Sequence, residues 1–266
     1  MVFKNIEFTQ QNEIATIRLN RPDKMNSFNV AMHEELSEAL TEVRNNKQLR
    51  CLIITAKGKA FSSGQDLYDR YEMVNSGEDF DLGSSLRDYY NPLIEAIMNL
   101  PIPVIAAVNG LAAGAGIGLA LACDIVVASK SAKFVFAFSK VGLVPDSACG
   151  WSLTRAVGAA RARALILLGK TISATSAQEM GMIWQCVEDD QLETEIKAIT
   201  EEIIQKPASG LNLSKQSLLQ ATENNLIEQL NLEAELQSFA GRNSDYSEAV
   251  RAFVEKRNPN FTGSYD

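Results

Sequence analysis

Three stretches of the chain hold residue types at spacings that can do chemistry. The first, GKAFSSGQDL at 58–67, follows the apolar run CLIITA. Its small residues let backbone N–H groups turn toward a ligand, and Asp66 is placed to cap a following helix. An ordinary strand-to-helix loop reads the same way. The second, NGLAAGAGIGLALACD at 109–124, follows the apolar run VIAAV. Gly114, Ala115, Gly116 and Gly118 fall at the expected start of a helix. Such an end carries unpaired N–H groups and partial positive charge, which suit a phosphate or an oxyanion. Small residues there also let a helix lie close against a sheet. The spacing is G-x-G-x-G, not the G-x-G-x-x-G of a dinucleotide site, and no acidic residue follows at the required distance. The third, FVFAFSKVGLVPDSACGW at 134–151, centres on Asp146. Phe136, Phe138, Val141, Leu143 and Val144 lie upstream of it. A carboxylate among them is partly desolvated, its pKa rises, and it suits a general base. The rival reading is an N-cap for a helix at Cys149–Val157, which would lower the pKa; spacing alone does not choose.

The elements around these stretches alternate. Residues 3–8 and 14–19 read as paired strands, with a turn at 10–13. A helix is expected over 29–44, with Met32, Leu36, Leu40 and Val43 on one face. CLIITA (51–56) and VIAAV (104–108) are apolar runs of the buried-strand kind, and further strands are expected at 124–128 and 134–138. Helices are expected over 85–100, stopped by Pro101 and Pro103, and over 110–122. A strand-strand-helix unit recurs at intervals of about 45–50 residues, without sequence self-similarity. The pattern implies α/β layering, with helices packed on sheets. A short helix at ISATSAQEMG is capped by Ser173 or Ser176 and ended by Gly181, and IWQCVED is a last strand. Four amphipathic helices fill 192–256. A soft boundary divides an α/β core at 1–195 from a helical region at 196–266. No Gly/Ser linker separates them, so the helical region is expected to pack on the core or on another subunit.

Composition narrows the function classes. A chain of 266 residues that is 46% hydrophobic and 22% charged builds one large folded unit. Its net charge of -8 argues against a general nucleic-acid binder. The apolar runs are too short for a membrane span, and the start, MVFKNIEFTQ, lacks the apolar stretch of a signal peptide. The 4 Cys (51, 123, 149 and 186) form no CxxC and read as reduced thiols of a cytoplasmic protein. The 1 His, His33, cannot build a His-rich metal site, and in the Glu-rich helical stretch NVAMHEELSEAL it is expected on a solvated face. Carboxylates and main-chain groups are left to carry catalysis, with no metal.

RPDKMNSF (21–28), AFSSGQDL (60–67), the glycine-rich run, FVFAFSKVGLVPD and the ending FVEKRNPNF (253–261) together resemble the crotonase, or enoyl-CoA hydratase/isomerase, superfamily. The resemblance covers essentially the whole chain, in the family's order and spacing. It implies a spiral of strand-strand-helix units with a helical C-terminal region that forms homotrimers, often paired into hexamers. It implies an acyl-CoA thioester as substrate, with coenzyme A entering as part of that substrate and no separate cofactor. By position, the backbone N–H groups of Gln65 and Ala115 hold the thioester oxygen as it gains enolate charge. Lys24, Ser62, Gly64, Gln65, Phe253 and Lys256 are the positions implied for the CoA moiety, the last from a neighbouring subunit.

Two departures matter. Where the family's hydratases carry their two catalytic Glu residues, this chain has Gly118 and Phe138. The isomerase-like members keep one acidic residue after the Pro, and Asp146 matches it. The resemblance therefore implies an isomerase that moves a proton within an enolate-stabilised thioester. DYYNPL (88–93), GMIWQ (181–185), AGRNSDY (240–246) and NFTG (260–263) are similar to the isomerases that convert the ring 1,2-epoxide of phenylacetyl-CoA to oxepin-CoA. Such enzymes also resemble 3-enoyl to 2-enoyl-CoA isomerases. The rivals are an aryl-CoA dehalogenase, in which the same Asp acts as nucleophile, and a CoA-binding protein without activity.

Overall fold

In the computed structural model, residues 3–76 and 81–262 are described; Gly263, the last residue of NFTG, lies outside them. The chain opens with β1 (Ile6–Gln11) and β2 (Ile14–Leu19), then α1 (Val30–Asn45), β3 (Cys51–Ala56) and β4 (Ala60–Ser62). Next come α2 (Leu67–Ser76), α3 (Leu82–Ser85), a π-helical turn at Leu86–Tyr90 and α4 (Asn91–Met98). β5 (Val104–Val108), β6 (Leu111–Ala113), α5 (Ala115–Leu121), β7 (Ile125–Ser129) and β8 (Lys133–Val135) follow. Then come α6 (Cys149–Val157), α7 (Ala159–Leu167), β9 (Thr171–Ser173), α8 (Ala174–Glu179) and β10 (Gln185–Val187). The chain ends in α9 (Leu192–Ile204), α10 (Ala208–Gln220), α11 (Leu226–Ala240) and α12 (Ser244–Glu255).

Two sheets share the work. One has the order β1-β2-β3-β5-β7-β10 and the other β4-β6-β8-β9. Each of the pairs β3/β4, β5/β6 and β7/β8 gives its first strand to the large sheet and its second to the small one. The pairings inside both sheets are parallel, apart from β1–β2 and β8–β9. That is the spiral of the expected unit, but the pairs begin at Cys51, Val104 and Ile125, so the repeat is uneven. The insertion of α2 to α4 lengthens the first turn.

The five residues of β5 are all buried, as a strand covered on both faces requires. The inner face carries the main core, with Ile17, Leu52, Ile54, Ala106, Phe61, Phe134 and Phe136. The outer face is partly covered by α9, whose Leu192, Ile196 and Ile203 pack on Cys51, Ile105, Ala107 and Val127. Lys215 of α10 reaches the core as well. Its ammonium pairs with Asp124 at 2.8 Å and donates to the Ile97 and Ile102 carbonyls. No residue of α11 is buried, and Leu226, Ile227, Leu230 and Phe239 lie exposed on it. Among the described residues, no helix is long and apolar enough to cross a membrane.

Several expectations change. The single helix over 85–100 is broken by the π-helical turn. The small-residue helix starts at Ala115, because Leu111–Ala113 pairs in the second sheet, and the strand at 134–138 ends at Val135. His33 is 6% exposed, not solvated. Its ring stacks on Phe28 at 5.3 Å and meets the Tyr90 ring edge-on at 4.3 Å. Burial pushes its pKa down to about 4, so it is neutral at pH 7.

Candidate active site

Two loops meet at the end of α5. Gly64 has φ +85°, and a Cβ there would sit 2.9 Å from the Ala113 oxygen and 3.3 Å from the Ala115 nitrogen. Only glycine tolerates that backbone and that approach together. Gly116 lies against Ser62 just as closely, 2.5 Å from that residue's oxygen by the same measure. The turn at 62–66 is thereby laid against the first turn of α5.

The backbone in this corner leaves two donors available. Phe28 pairs with the turn in parallel, its N–H donating to the Gly64 oxygen at 2.7 Å while its oxygen accepts from the Asp66 N–H at 2.9 Å. The Gln65 N–H faces away from this pairing, and no acceptor among the described residues takes it. Ala115 is the first residue of α5, so its N–H has no partner within the helix.

The motif RPDKMNSF braces the turn from behind. Asn26 is wholly buried and bonded at both ends of its side chain: Nδ2 donates to the Lys57 and Ala60 oxygens, and Oδ1 accepts from the Arg21 N–H. Met25 and Asn26 both adopt positive φ, at 50° and 52°, to make this possible. Arg21 forms an ion pair with Asp66 at 3.0 Å. Burial alone would raise the Asp66 carboxyl, but Arg21, the Tyr68 N–H and Ser27 hold it below its ordinary value. Asp66 also caps α2 through the Tyr68 N–H at 3.1 Å.

Asp146 lies in the loop between β8 and α6. It does not cap α6: the residue at that position is Ala148, with no side-chain cap. Ser147 and Ala148 take positive φ of 51° and 56°, a costly pair of left-handed residues directly after the carboxylate. Burial raises the Asp146 pKa, opposed by a hydrogen bond from the Ser147 hydroxyl at 3.0 Å. The desolvated reading therefore prevails over the capping one. Ser147 itself presses on Gly118, one turn into α5 from Ala115.

The structure thus brings Gly64, Gln65 and Ala115 together, and packs the loop that carries Asp146 on the same helix through Ser147 and Gly118. Ser62 is fully enclosed, its hydroxyl donating to the Asn26 oxygen and accepting from the Gly64 N–H. It shapes the turn, and its side chain has no face left for CoA. Lys24 lies beside the turn, its ammonium 4.4 Å from the centre of the Tyr68 ring. Phe253 and Lys256 lie at the end of α12, where Phe253 is 85% exposed. Within this chain they are not joined to the turn by any hydrogen bond or ion pair among the described residues. Among those residues no cluster of three or more His, Cys, Asp or Glu is fit to hold a metal.

Sequence reasoning missed Tyr90, Arg70 and His33, which surround Gln65 and its neighbours. Tyr90 donates to Gln65 Oε1 at 2.7 Å, and Arg70 reaches the same atom at 3.3 Å. Their positions 5 and 25 residues from Gln65 carry no recognisable spacing.

Known proteins share this arrangement of sequence and fold. A family model described as enoyl-CoA hydratase/isomerase matches residues 9–264. The chain is 49% identical over 250 residues to 1,2-epoxyphenylacetyl-CoA isomerase of Escherichia coli, covering 94% of this chain and 95% of that one. It is 42% identical to a probable enoyl-CoA hydratase of Rhodobacter capsulatus, over 99% of this chain and 100% of the relative. A crystal structure of enoyl-CoA hydratase from Bacillus anthracis superposes with a TM-score of 0.91 at 31% identity, over 98% of this chain and 100% of that one. The chain belongs to the enoyl-CoA hydratase/isomerase, or crotonase, family.

Proposed function

We propose that the protein is an acyl-CoA isomerase that moves a proton between carbons of an enolate-stabilised thioester. The observation that carries this reading is the desolvated carboxylate of Asp146, with glycine at 118 and a buried Phe138 where the second carboxylate needed to activate water would be. The thioester oxygen sits between the Gln65 and Ala115 N–H groups. Preorganised donors of this kind stabilise the charge that develops as the α-proton leaves. Asp146 takes the proton from one carbon and returns it to another, so no water is consumed. For a 3-enoyl thioester the product is the conjugated 2-enoyl thioester.

The finer reading is 2-(1,2-epoxy-1,2-dihydrophenyl)acetyl-CoA isomerase, with oxepin-CoA as product. The 49% identity to the Escherichia coli enzyme of that name supports it. Coenzyme A enters as part of the substrate and no other cofactor is required. We also read the active form as a homotrimer. The uncovered apolar side chains of α11, with Phe253 and Val254 of α12, support that. In that assembly Lys256 of one subunit serves the CoA site of another.

The test is direct. A 3-enoyl-CoA substrate should gain the absorbance of the conjugated thioester, and the ring epoxide should give oxepin-CoA on product analysis. Turnover of the 3-enoyl substrate without the epoxide removes the finer reading alone. Failure with both, or rapid hydration of crotonyl-CoA, removes the isomerase.

A further inference from the structure

The side chain of Gln65 has every hydrogen-bonding position filled. Its Oε1 accepts from the Tyr90 hydroxyl at 2.7 Å and from Arg70 at 3.3 Å. Its Nε2 donates to the Phe28 and Asp66 oxygens, each at 3.3 Å. An amide has two acceptor and two donor positions, and all are used. One of these oxygens belongs to the paired Phe28 and the other to the next residue of the turn, so the side chain is tied to the strand-like turn that carries its own N–H.

The Tyr90 bond is the shortest of the four and comes from a residue only 4% exposed. Tyr90 is held on two sides, by the His33 ring at 4.3 Å and by the Phe28 ring at 5.8 Å. Tyr89 meets His33 from the same segment at 5.7 Å. The π-helical turn makes this possible. It widens the helix so that two consecutive tyrosines reach the same buried imidazole, and such turns gather at functional sites. Tyr90 also feels the charge of Asp146.

We propose that Tyr90 is a positioning residue: its hydroxyl locks the Gln65 side chain and so fixes the direction of the Gln65 N–H at the oxyanion site. The inference rests on the reading of Gln65 as an oxyanion donor. Without the Tyr90 hydroxyl, Oε1 keeps only the longer bond from Arg70, a donor shared with the Ser85 hydroxyl at 2.7 Å, and the turn gains freedom to rock. An N–H that wanders from the oxyanion position loses more in the transition state than in the ground state, so the loss falls on kcat.

Tyr90→Phe removes the hydroxyl and keeps the ring packing. We expect kcat for a 3-enoyl-CoA to fall roughly tenfold with KM changed less than about twofold, as for one lost hydrogen bond in the transition state. Bound butyryl-CoA, labelled with ¹³C at the thioester carbonyl, gives a second reading by difference infrared spectroscopy. Its carbonyl band should shift away from the free thioester's in the wild type and move back toward it in Tyr90→Phe. Gln65→Leu should show the same band position, and adding Tyr90→Phe to it should change nothing further. Full kcat with an unmoved band in Tyr90→Phe overturns the proposal, as do independent losses that multiply in the double variant. A wild type that isomerises neither a 3-enoyl-CoA nor the ring epoxide defeats the isomerase reading instead, and the butyryl-CoA band still tests Tyr90.

Discussion

Gly118 lies against Ser147 so tightly that a Cβ on Gly118 would sit 2.6 Å from the Ser147 Cβ and overlap its carbonyl oxygen. The contact explains why position 118 carries no side chain. The segment after Asp146 fills the space a side chain would need. Ser147 and Ala148 take positive φ there, a strain that the surrounding packing must offset.

Gly118→Ala should therefore destabilise the fold by about 1–3 kcal/mol, the usual cost of overpacking a tight core. Denaturant melts measure it. Gly118→Glu should not create a hydratase, with or without Phe138→Glu, since the new chain clashes with Ser147 backbone. Hydration of crotonyl-CoA by either variant at the rate of isomerisation would show that the segment yields.

Asp146→Asn separates activity from stability. Turnover should fall about 10²–10⁴-fold, the usual worth of a general base. Stability should move the other way. The folded carboxyl has a pKa raised above its ordinary 3.8, so the ionised form costs stability at neutral pH. The variant should melt above wild type at pH 7, and the gap should close as pH falls through that folded pKa toward 3.8. In the wild type, kcat/KM should fall on the acid side with a pKa above the ordinary one. A variant that keeps more than about a tenth of the activity removes Asp146 from the role of base.

His33 predicts a loss of stability in acid. Its folded pKa is depressed from 6.5 to about 4, so the unfolded chain binds the proton first. The contribution is complete above pH 6.5 and is lost as pH falls toward 4, by about 3 kcal/mol at most. His33→Phe keeps an aromatic ring against Phe28 and Tyr90 and removes the titration. Its melting temperature should vary less than wild type's between pH 7 and 4. Equal slopes for both proteins would assign the acid sensitivity elsewhere.

Asn26→Ala should cost more than an ordinary polar substitution. It strands the Lys57 and Ala60 oxygens and the Arg21 N–H. A loss of about 2–4 kcal/mol is expected from unsatisfied buried groups, together with a drop in turnover as the turn at 62–66 loosens. Thermal melts and a 3-enoyl-CoA assay read the two effects separately.

Lys256→Glu should weaken CoA binding and leave kcat near wild type at saturating substrate. A net charge of -8 repels a polyanion at long range, so the local cations matter and the affinity should fall with salt. Titration calorimetry at two salt concentrations tests this. Wild-type affinity in the variant at low salt assigns Lys256 to open solvent.

The sequence by itself determined the elements whose signal is local. The run at Val104–Val108 is apolar without a break and that at Cys51–Ala56 is interrupted by Thr55 alone, the pattern of strands in a covered parallel sheet. Ser173, one of the two caps expected for α8, does cap it through the Ser176 N–H, because a cap is a contact between near neighbours. The glycines around Gln65 and Ala115 were legible because a close approach of two backbones leaves no room for Cβ. Only the tertiary structure decided the rest. His33 belongs to a helix whose sequence reads as solvated, yet Tyr89 and Tyr90 arrive from more than 50 residues away and cover it. Asp146 could cap or be desolvated on its spacing, and the choice fell to Ser147 and Ala148, whose backbone turns the carboxylate away from α6. The lock on Gln65 was invisible for the same reason. A hydrogen bond or a ring contact across the fold leaves no periodicity in the chain, because its partners are set by how the elements pack and not by how the residues are spaced.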